Sequence, residues 1–238
     1  MGKKIGKIFG EKLKKIADFL KTEKKIGDEK ILILPQKSVG VAGDARTFKN
    51  AAIFFGEKFL PENFAEKNFE ILENSKNLEN NFLKNGEKNW ENFWRKIEKI
   101  VAEKINSCEK ISRGVILLGK NFSGKIEKIA VAKNFLTPGR AKILRRADEI
   151  VEKNLREKNF YEKTWQFPVI LAPIFFNDCG SESVILRPVD SIDAMSASLA
   201  PLPLDFFWQC AAEILRDEKI SAVFLDATPK PPGTIEWE

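Results

Sequence analysis

Two segments of the chain carry residue types that folding alone does not demand, and both are suited to holding an anion. The first is Lys37-Ser38-Val39-Gly40-Val41-Ala42-Gly43-Asp44-Ala45-Arg46-Thr47. Gly40 and Gly43 permit positive φ and let backbone N–H groups converge, while Lys37 and Arg46 flank them with positive charge. An ordinary glycine-containing hairpin accounts for these residues equally well. The pattern is neither G-x-x-x-x-G-K-S/T nor G-x-G-x-x-G, so P-loop and dinucleotide-fold readings fail. The second segment is Lys230-Pro231-Pro232-Gly233-Thr234-Ile235-Glu236-Trp237-Glu238. Two prolines and a glycine forbid regular structure there, so the tail either packs down as a lid or frays. Composition by itself favours fraying.

What is missing narrows the chemistry further. The 238 residues include no histidine, which removes an imidazole base, a Ser-His or Cys-His nucleophile and any His-ligated metal. Cys108, Cys179 and Cys210 lie far apart with no C-x-x-C pair, which fits a reducing compartment and no metal site. The formal charge of +6 favours an anionic partner without identifying one. Only nine of the forty basic residues are arginine and the lysines alternate with glutamate, so a solvated surface is expected rather than a nucleic-acid interface. No apolar run reaches the roughly 20 residues that span a bilayer, and the first twenty residues lack a signal-peptide pattern. Gly6 stands where a myristoylation motif wants Ser or Thr. A cytoplasmic protein without membrane attachment is the expectation.

With 43% apolar and 31% charged residues the chain can build a core. Ile5, Ile8, Leu13, Ile16 and Leu20 recur at roughly helical spacing, as a core helix or a membrane-surface helix would have them. Strands are expected at 31–34, ended by Pro35, and at 48–55. Residues 57–88 read as a Lys/Glu/Asn-rich insertion. Trp90, Phe93, Trp94, Ile97, Val101 and Ile105 share one face of a helix over 90–106, and a strand follows at 112–118. The order then repeats. Thr137-Pro138 opens a helix with Leu144, Ala147, Val151 and Leu155 inward. Strands follow at 168–172 and 183–189, then a helix over 203–216 with Leu204, Phe207, Trp208, Ala211 and Leu215 on one face, and a strand at 221–226. Glu109-Lys110-Ile111-Ser112 and Glu218-Lys219-Ile220-Ser221 echo one another at the matching helix exits. The expected fold is α+β: two α-β-β-α-β subdomains, 1–125 and 126–238, each a small sheet covered by helices.

The two opening segments resemble the signature stretches of the C-terminal region of glutamine-hydrolysing GMP synthase. So do Leu136-Thr137-Pro138 with Leu144-Arg145-Arg146-Ala147-Asp148, Tyr161-Glu162-Lys163-Thr164-Trp165-Gln166, and Val184-Ile185-Leu186-Arg187-Pro188-Val189-Asp190-Ser191-Ile192-Asp193-Ala194-Met195. The signatures fall in two units rather than one, which resembles the eukaryotic-type enzyme with its duplicated dimerisation subdomain. That family makes GMP from XMP, ATP and glutamine-derived ammonia. The resemblance implies that Arg46, Gln166, Lys230 and Glu236 contact XMP, with Lys37 and Asp44 as neighbouring or loop-fixing groups. Residue types agree, since a phosphate suits Arg and Lys, and purine and ribose edges suit an amide and a carboxylate.

In the second unit Ile174-Phe175-Phe176-Asn177-Asp178-Cys179-Gly180 stands in place of the glycine loop, which implies one composite site. The family's amidotransferase triad needs a histidine, and its SGGxDS loop has only Asn121-Phe122-Ser123-Gly124-Lys125 as a distant counterpart. The implied role is the XMP-binding and dimerisation part, with no cofactor of its own. ATP and magnesium belong to a partner polypeptide that carries the pyrophosphatase and amidotransferase domains. A protein that keeps the fold for structural or interaction purposes is the alternative.

Overall fold

A computed structural model describes residues 24–26, 29–42, 45–55, 90–122, 126, 128–132, 135–180 and 182–237. The expected first helix, the insertion at 57–88, Gly43 and Asp44 lie outside the described residues. In chain order the strands are β1 (Lys24–Ile26), β2 (Glu29–Ala42), β3 (Ala45–Phe55), β4 (Ile111–Lys120), β5 (Ile129–Val131), β6 (Val169–Ala172), β7 (Ile174–Phe176), β8 (Glu182–Leu186), β9 (Val189–Asp190), β10 (Ser198–Leu199) and β11 (Ile220–Asp226). The helices are α1 (Trp90–Asn106), α2 (Pro138–Glu157) and α3 (Leu204–Ile214). The chain is α+β, as expected.

Seven strands form one mixed sheet in the order β1-β2-β3-β4-β11-β8-β6. Its two wings match in direction: β2 and β3 are antiparallel and β3 and β4 parallel, while β6 and β8 are antiparallel and β8 and β11 parallel. The wings meet where β4 pairs antiparallel with β11. The two three-stranded sets read from the sequence are therefore joined edge to edge, which leaves neither β4 nor β11 with an open ladder of backbone groups. A parallel pair needs a long crossover. The one between β3 and β4 includes α1, and the one between β8 and β11 includes α3.

The central strands are apolar on both faces because both faces are covered. Along β4, Val115 and Leu117 point to one side and Ile116 and Leu118 to the other; along β11, Ala222 and Phe224 alternate in the same way with Val223 and Leu225. Among the described residues the helices α1, α2 and α3 lie on the face of Ile116 and Val223, where Trp94, Val151 and Phe207 join the core. The opposite face holds Phe122, Ile129, Ile174 and Phe176, so β5 and β7 cover it, with Trp237 of the tail packed alongside.

Helix α1 matches its expected bounds and buries Phe93, Trp94, Ile97, Val101 and Ile105; Glu98 is buried with them. Thr137 caps α2 as expected, its hydroxyl accepting the Arg140 N–H at 3.2 Å. Ile143 rather than Leu144 is the first buried residue of α2, and in α3 Phe206, Cys210 and Ile214 are buried beside the expected Phe207, Trp208 and Ala211. Bidentate contacts from Arg140 to Glu182, at 2.7 and 3.1 Å, tie the start of α2 to the start of β8.

At the first signature one expectation needs correction and one open pair of readings is decided. Strand β2 does not end at Pro35 but runs on to Ala42, with a register irregularity between Ile33 and Lys37. The Asn50 side-chain amide donates to the Leu34 carbonyl at 2.7 Å beside that irregularity, which supplies a bond where proline offers no N–H. The presumed glycine loop is thus largely a β-hairpin, and Gly40 sits in its ladder opposite Thr47. Gly40 does not adopt positive φ; among described glycines Gly180 does. Close approach explains Gly40 instead, because a Cβ there would lie 2.9 Å from the Ser112 Cβ and 3.0 Å from the Pro232 carbonyl oxygen.

Candidate functional site

Parallel pairing places Leu225 beside Leu186, so the next residues, Asp226 and Arg187, emerge side by side at the ends of β11 and β8. Antiparallel pairing sets Asp226 opposite Val115, two residues from Arg113 on β4. Three charged side chains thus converge at one end of the sheet, all of them buried. Asp226 Oδ2 lies 3.0 Å from Arg113 Nη1 and 2.9 Å from Arg187 Nη1, and it also accepts the Trp237 indole N–H at 2.6 Å. Its Oδ1 accepts the Thr228 N–H and hydroxyl at 2.9 and 2.5 Å.

Two guanidiniums against one carboxylate leave a buried positive excess, and the carbonyls of the C-terminal tail answer it. Arg187 donates to the Ile235, Thr228 and Thr234 carbonyls at 2.8, 3.1 and 2.7 Å. Arg113 donates to the Thr234 carbonyl at 3.0 Å, to the Thr234 hydroxyl at 2.6 Å and to the Glu236 carbonyl. The ring of Trp237 lies 4.9 Å from the Arg113 guanidinium. Burial lowers the Arg113 pKa to about 10, with Asp226 acting in the opposite sense. The tail is packed down rather than frayed, with Ile235 5% exposed against Val189 and Ala197.

This seat determines where the expected contact residues stand. Lys230 pairs through its backbone with Ala197, and its ammonium donates to the Ala194 carbonyl at 2.6 Å. Gln166 pairs through its backbone with Val189, whose strand β9 is bonded to β10 beside Ala197. Its exposed side chain lines a cleft of about 300 Å³ together with Asp148, Glu152, Tyr161 and Trp165. Glu236 holds the seat through its carbonyl and keeps its side chain exposed. On the other flank Gly40 bridges Gly233, and Arg46, also exposed, stands opposite Val41 next to that bridge.

Backbone pairing therefore brings Arg46, Lys230 and Gln166 to the same end of the sheet as the tail, where Arg113 holds the Glu236 carbonyl. Lys37 stands opposite Asn50, exposed and further along the hairpin from Arg46. Asp44 lies outside the described residues. The tail and the hairpin beside it carry two cations and a carboxylate, groups suited to a phosphorylated, polar ligand, while the Gln166 amide faces the cleft lined by α2.

The residues that build this seat, Arg113, Arg187, Asp226 and Thr228, are not among the candidates read from the sequence. A signal was present: Arg113 and Asp226 are opposite charges at the edges of two apolar runs that echo each other. Among the described residues no group of three or more Cys, Asp or Glu side chains is placed to hold a metal ion. Among them, too, no helix is long and apolar enough to cross a membrane.

Comparison with known proteins gives this geometry a context. Residues 153–237 match the GMP synthase C terminal domain. Over 212 residues, 87% of the chain, it is 30% identical to the probable GMP synthase [glutamine-hydrolyzing] of Leptospira interrogans, covering 28% of that protein. Over 110 residues it is 40% identical to the GMP synthase of Maridesulfovibrio salexigens and 39% identical to that of Bacteroides fragilis, covering 21% and 22% of them. Residues 153–237 are thus similar to the GMP synthase C terminal domain and the chain is similar to GMP synthases, of whose length it spans less than a third.

Proposed function

We propose that the chain is the XMP-binding and dimerisation part of a GMP synthase, the enzyme that forms GMP from XMP, ATP and glutamine. The observation that carries this reading is the seated tail, which presents Lys230 and Glu236 from a buried charge network beside the Arg46 hairpin. Arg46 and Lys230 serve the phosphate, and Gln166 and Glu236 the purine or ribose edges. The Lys230 ammonium donates here to a neutral carbonyl, and a phosphate oxygen is a stronger acceptor for the same donor. Matching strand order in the two wings supports two related units, 1–125 and 126–238, in the manner of the duplicated form. ATP and magnesium chemistry and glutamine hydrolysis are assigned to a cognate polypeptide carrying the pyrophosphatase and amidotransferase domains, in the cytoplasm.

XMP at 100 times its dissociation constant is expected to stabilise the full chain by about 2.7 kcal/mol in thermal unfolding. Arg46→Ala and Lys230→Ala should each weaken calorimetric XMP affinity by about 10- to 150-fold, the cost of one charge-assisted hydrogen bond. Absence of any XMP-dependent shift at millimolar concentration would return the chain to the structural or interaction role. A second stage measures GMP formation. With a cognate polypeptide truncated before its own C-terminal region, the chain should restore GMP synthesis from XMP, ATP and glutamine. A stable complex that forms no GMP overturns the catalytic part of the proposal.

A further inference from the structure

We infer that Arg113 is a positioning residue that couples the hairpin bearing Arg46 to the tail bearing Lys230 and Glu236, so that neither flank of the site is set unless the tail is seated. The ligand in this inference rests on the XMP reading above; the coupling itself rests on geometry.

One planar group touches both flanks. The Arg113 Nε donates to the Ser38 hydroxyl at 2.6 Å, and Nη2 approaches the Val39 carbonyl at 3.5 Å, both on β2. The remaining edges of the same guanidinium hold the Thr234 carbonyl and hydroxyl and the Glu236 carbonyl. Thr234 closes the circuit directly, since its hydroxyl lies 3.2 Å from the Val39 carbonyl. Gly40 follows Val39 and bridges Gly233, and Val41 stands opposite Arg46. A displacement of the tail by one hydrogen-bond length therefore moves partners on both sides of Arg113. Its side chain is fully buried, with no solvent to substitute for a lost partner.

Arg187 provides the internal comparison. It holds the same tail, but its partners are Ile235, Thr228, Thr234 and Asp226, all in the second half of the chain. A role limited to stabilising the tail would make the two arginines equivalent. A coupling role makes them differ, because only the Arg113 contacts span β2 and the tail. Lysine substitutes for neither in this respect, since a single ammonium lacks the fixed fork that serves several acceptors at once.

Hydrogen exchange on the full-length chain separates these cases without any ligand. Arg113→Lys should raise exchange about tenfold or more both in peptides covering 37–48 and in those covering 230–238, whereas Arg187→Lys should raise it in the tail alone. Thr234→Val, which keeps the side-chain shape and removes one hydroxyl, should raise exchange in both segments. This milder change decides the matter if Arg113→Lys fails to fold. Loosening of the tail with an unchanged hairpin in Arg113→Lys or, if that variant does not fold, in Thr234→Val overturns the inference, as does equal loosening of the hairpin by Arg187→Lys.

Calorimetry with XMP adds a second readout that simple destabilisation does not move. In the natural chain the affinity loss of the Arg46→Ala/Lys230→Ala double variant should be smaller than the product of the single losses. In the Thr234→Val background it should equal that product. If the natural chain takes up no XMP, the proposed function fails, while the exchange pattern still decides the coupling.

Discussion

Replacement of Asp226 by alanine is expected to lower the unfolding free energy by about 3 to 5 kcal/mol, the cost of removing one partner from a buried ion pair. Asp226 is fully buried and is the carboxylate that both Arg113 and Arg187 approach within 3.0 Å. Its loss would leave two buried guanidiniums with neutral carbonyls, hydroxyls and the Trp237 ring but no carboxylate in hydrogen-bond contact to answer them. Burial raises the Asp226 pKa, and the Arg187 and Arg113 charges with the Thr228 hydrogen bonds outweigh it, so the carboxyl is held below its ordinary value of 3.8.

A depressed carboxyl pKa adds stability that is present above the unfolded value and is lost as pH falls from there through the folded value. Asp226→Asn should therefore be less stable than the natural chain at pH 7 and should flatten the acid side of its stability profile. Urea midpoints measured from pH 2 to pH 7 would check this. An unchanged midpoint at pH 7 for Asp226→Ala would show that the tail carbonyls alone neutralise the arginines.

The parts of this fold that were legible are those in which one periodicity runs long enough to be unambiguous. Helix α1 carries six apolar residues at intervals of three and four, and its bounds follow directly. Strands β4 and β11 are apolar runs, each entered through a matching helix exit, Glu109-Lys110-Ile111-Ser112 and Glu218-Lys219-Ile220-Ser221. Strands β5 and β7, of three residues each, are too short to show alternation. The turn after β7 uses positive φ at Asn177 and Asp178, residues that tolerate it but do not demand it. Pro35 misled for a physical reason, since a proline normally ends a central ladder and here sits at an irregularity stabilised by a distant Asn50 side chain.

The site divides in the same way. Arg46, Lys230, Gln166 and Glu236 stand in recognisable local stretches, whereas Arg113 and Asp226 acquire their meaning only when β4 lies against β11. Sequence separation hides such a pair, because a charge at the edge of an apolar run normally marks where the strand reaches solvent. A buried opposite charge in each of two strands expected to pair antiparallel is the pattern that would expose it.

Glu98 is another buried carboxylate that periodicity assigned no role, and it supplies the sharpest expected pH dependence. It occupies the inner face of α1, and its Oε1 accepts the Leu199 N–H at 2.5 Å. Burial raises its pKa from 4.5 to about 7; the Leu199 hydrogen bond and the Arg187 and Arg95 charges act to lower it, and Asp226 acts to raise it. The folded state therefore holds a proton that the unfolded state releases between those values. This contribution is fully present below pH 4.5 and is lost as pH rises through about 7. For a change of this size the loss reaches roughly 3 kcal/mol by pH 8.

Glu98→Gln keeps an oxygen for the Leu199 N–H and carries no charge, so it should abolish most of the decline between pH 5 and pH 8. Its gain at pH 8 should be smaller than the full loss, because the new amide N–H groups need buried partners and an unmet one costs about 1 to 3 kcal/mol. Denaturant midpoints at half-unit pH steps decide it, and parallel profiles for the two proteins would show that Glu98 stays ionised in the fold. The position gives the result a bearing on function, since Leu199 lies on β10, two residues from Ala197, to which Lys230 is paired. Ionisation of Glu98 therefore acts on the strand that anchors the Lys230 flank of the proposed nucleotide site.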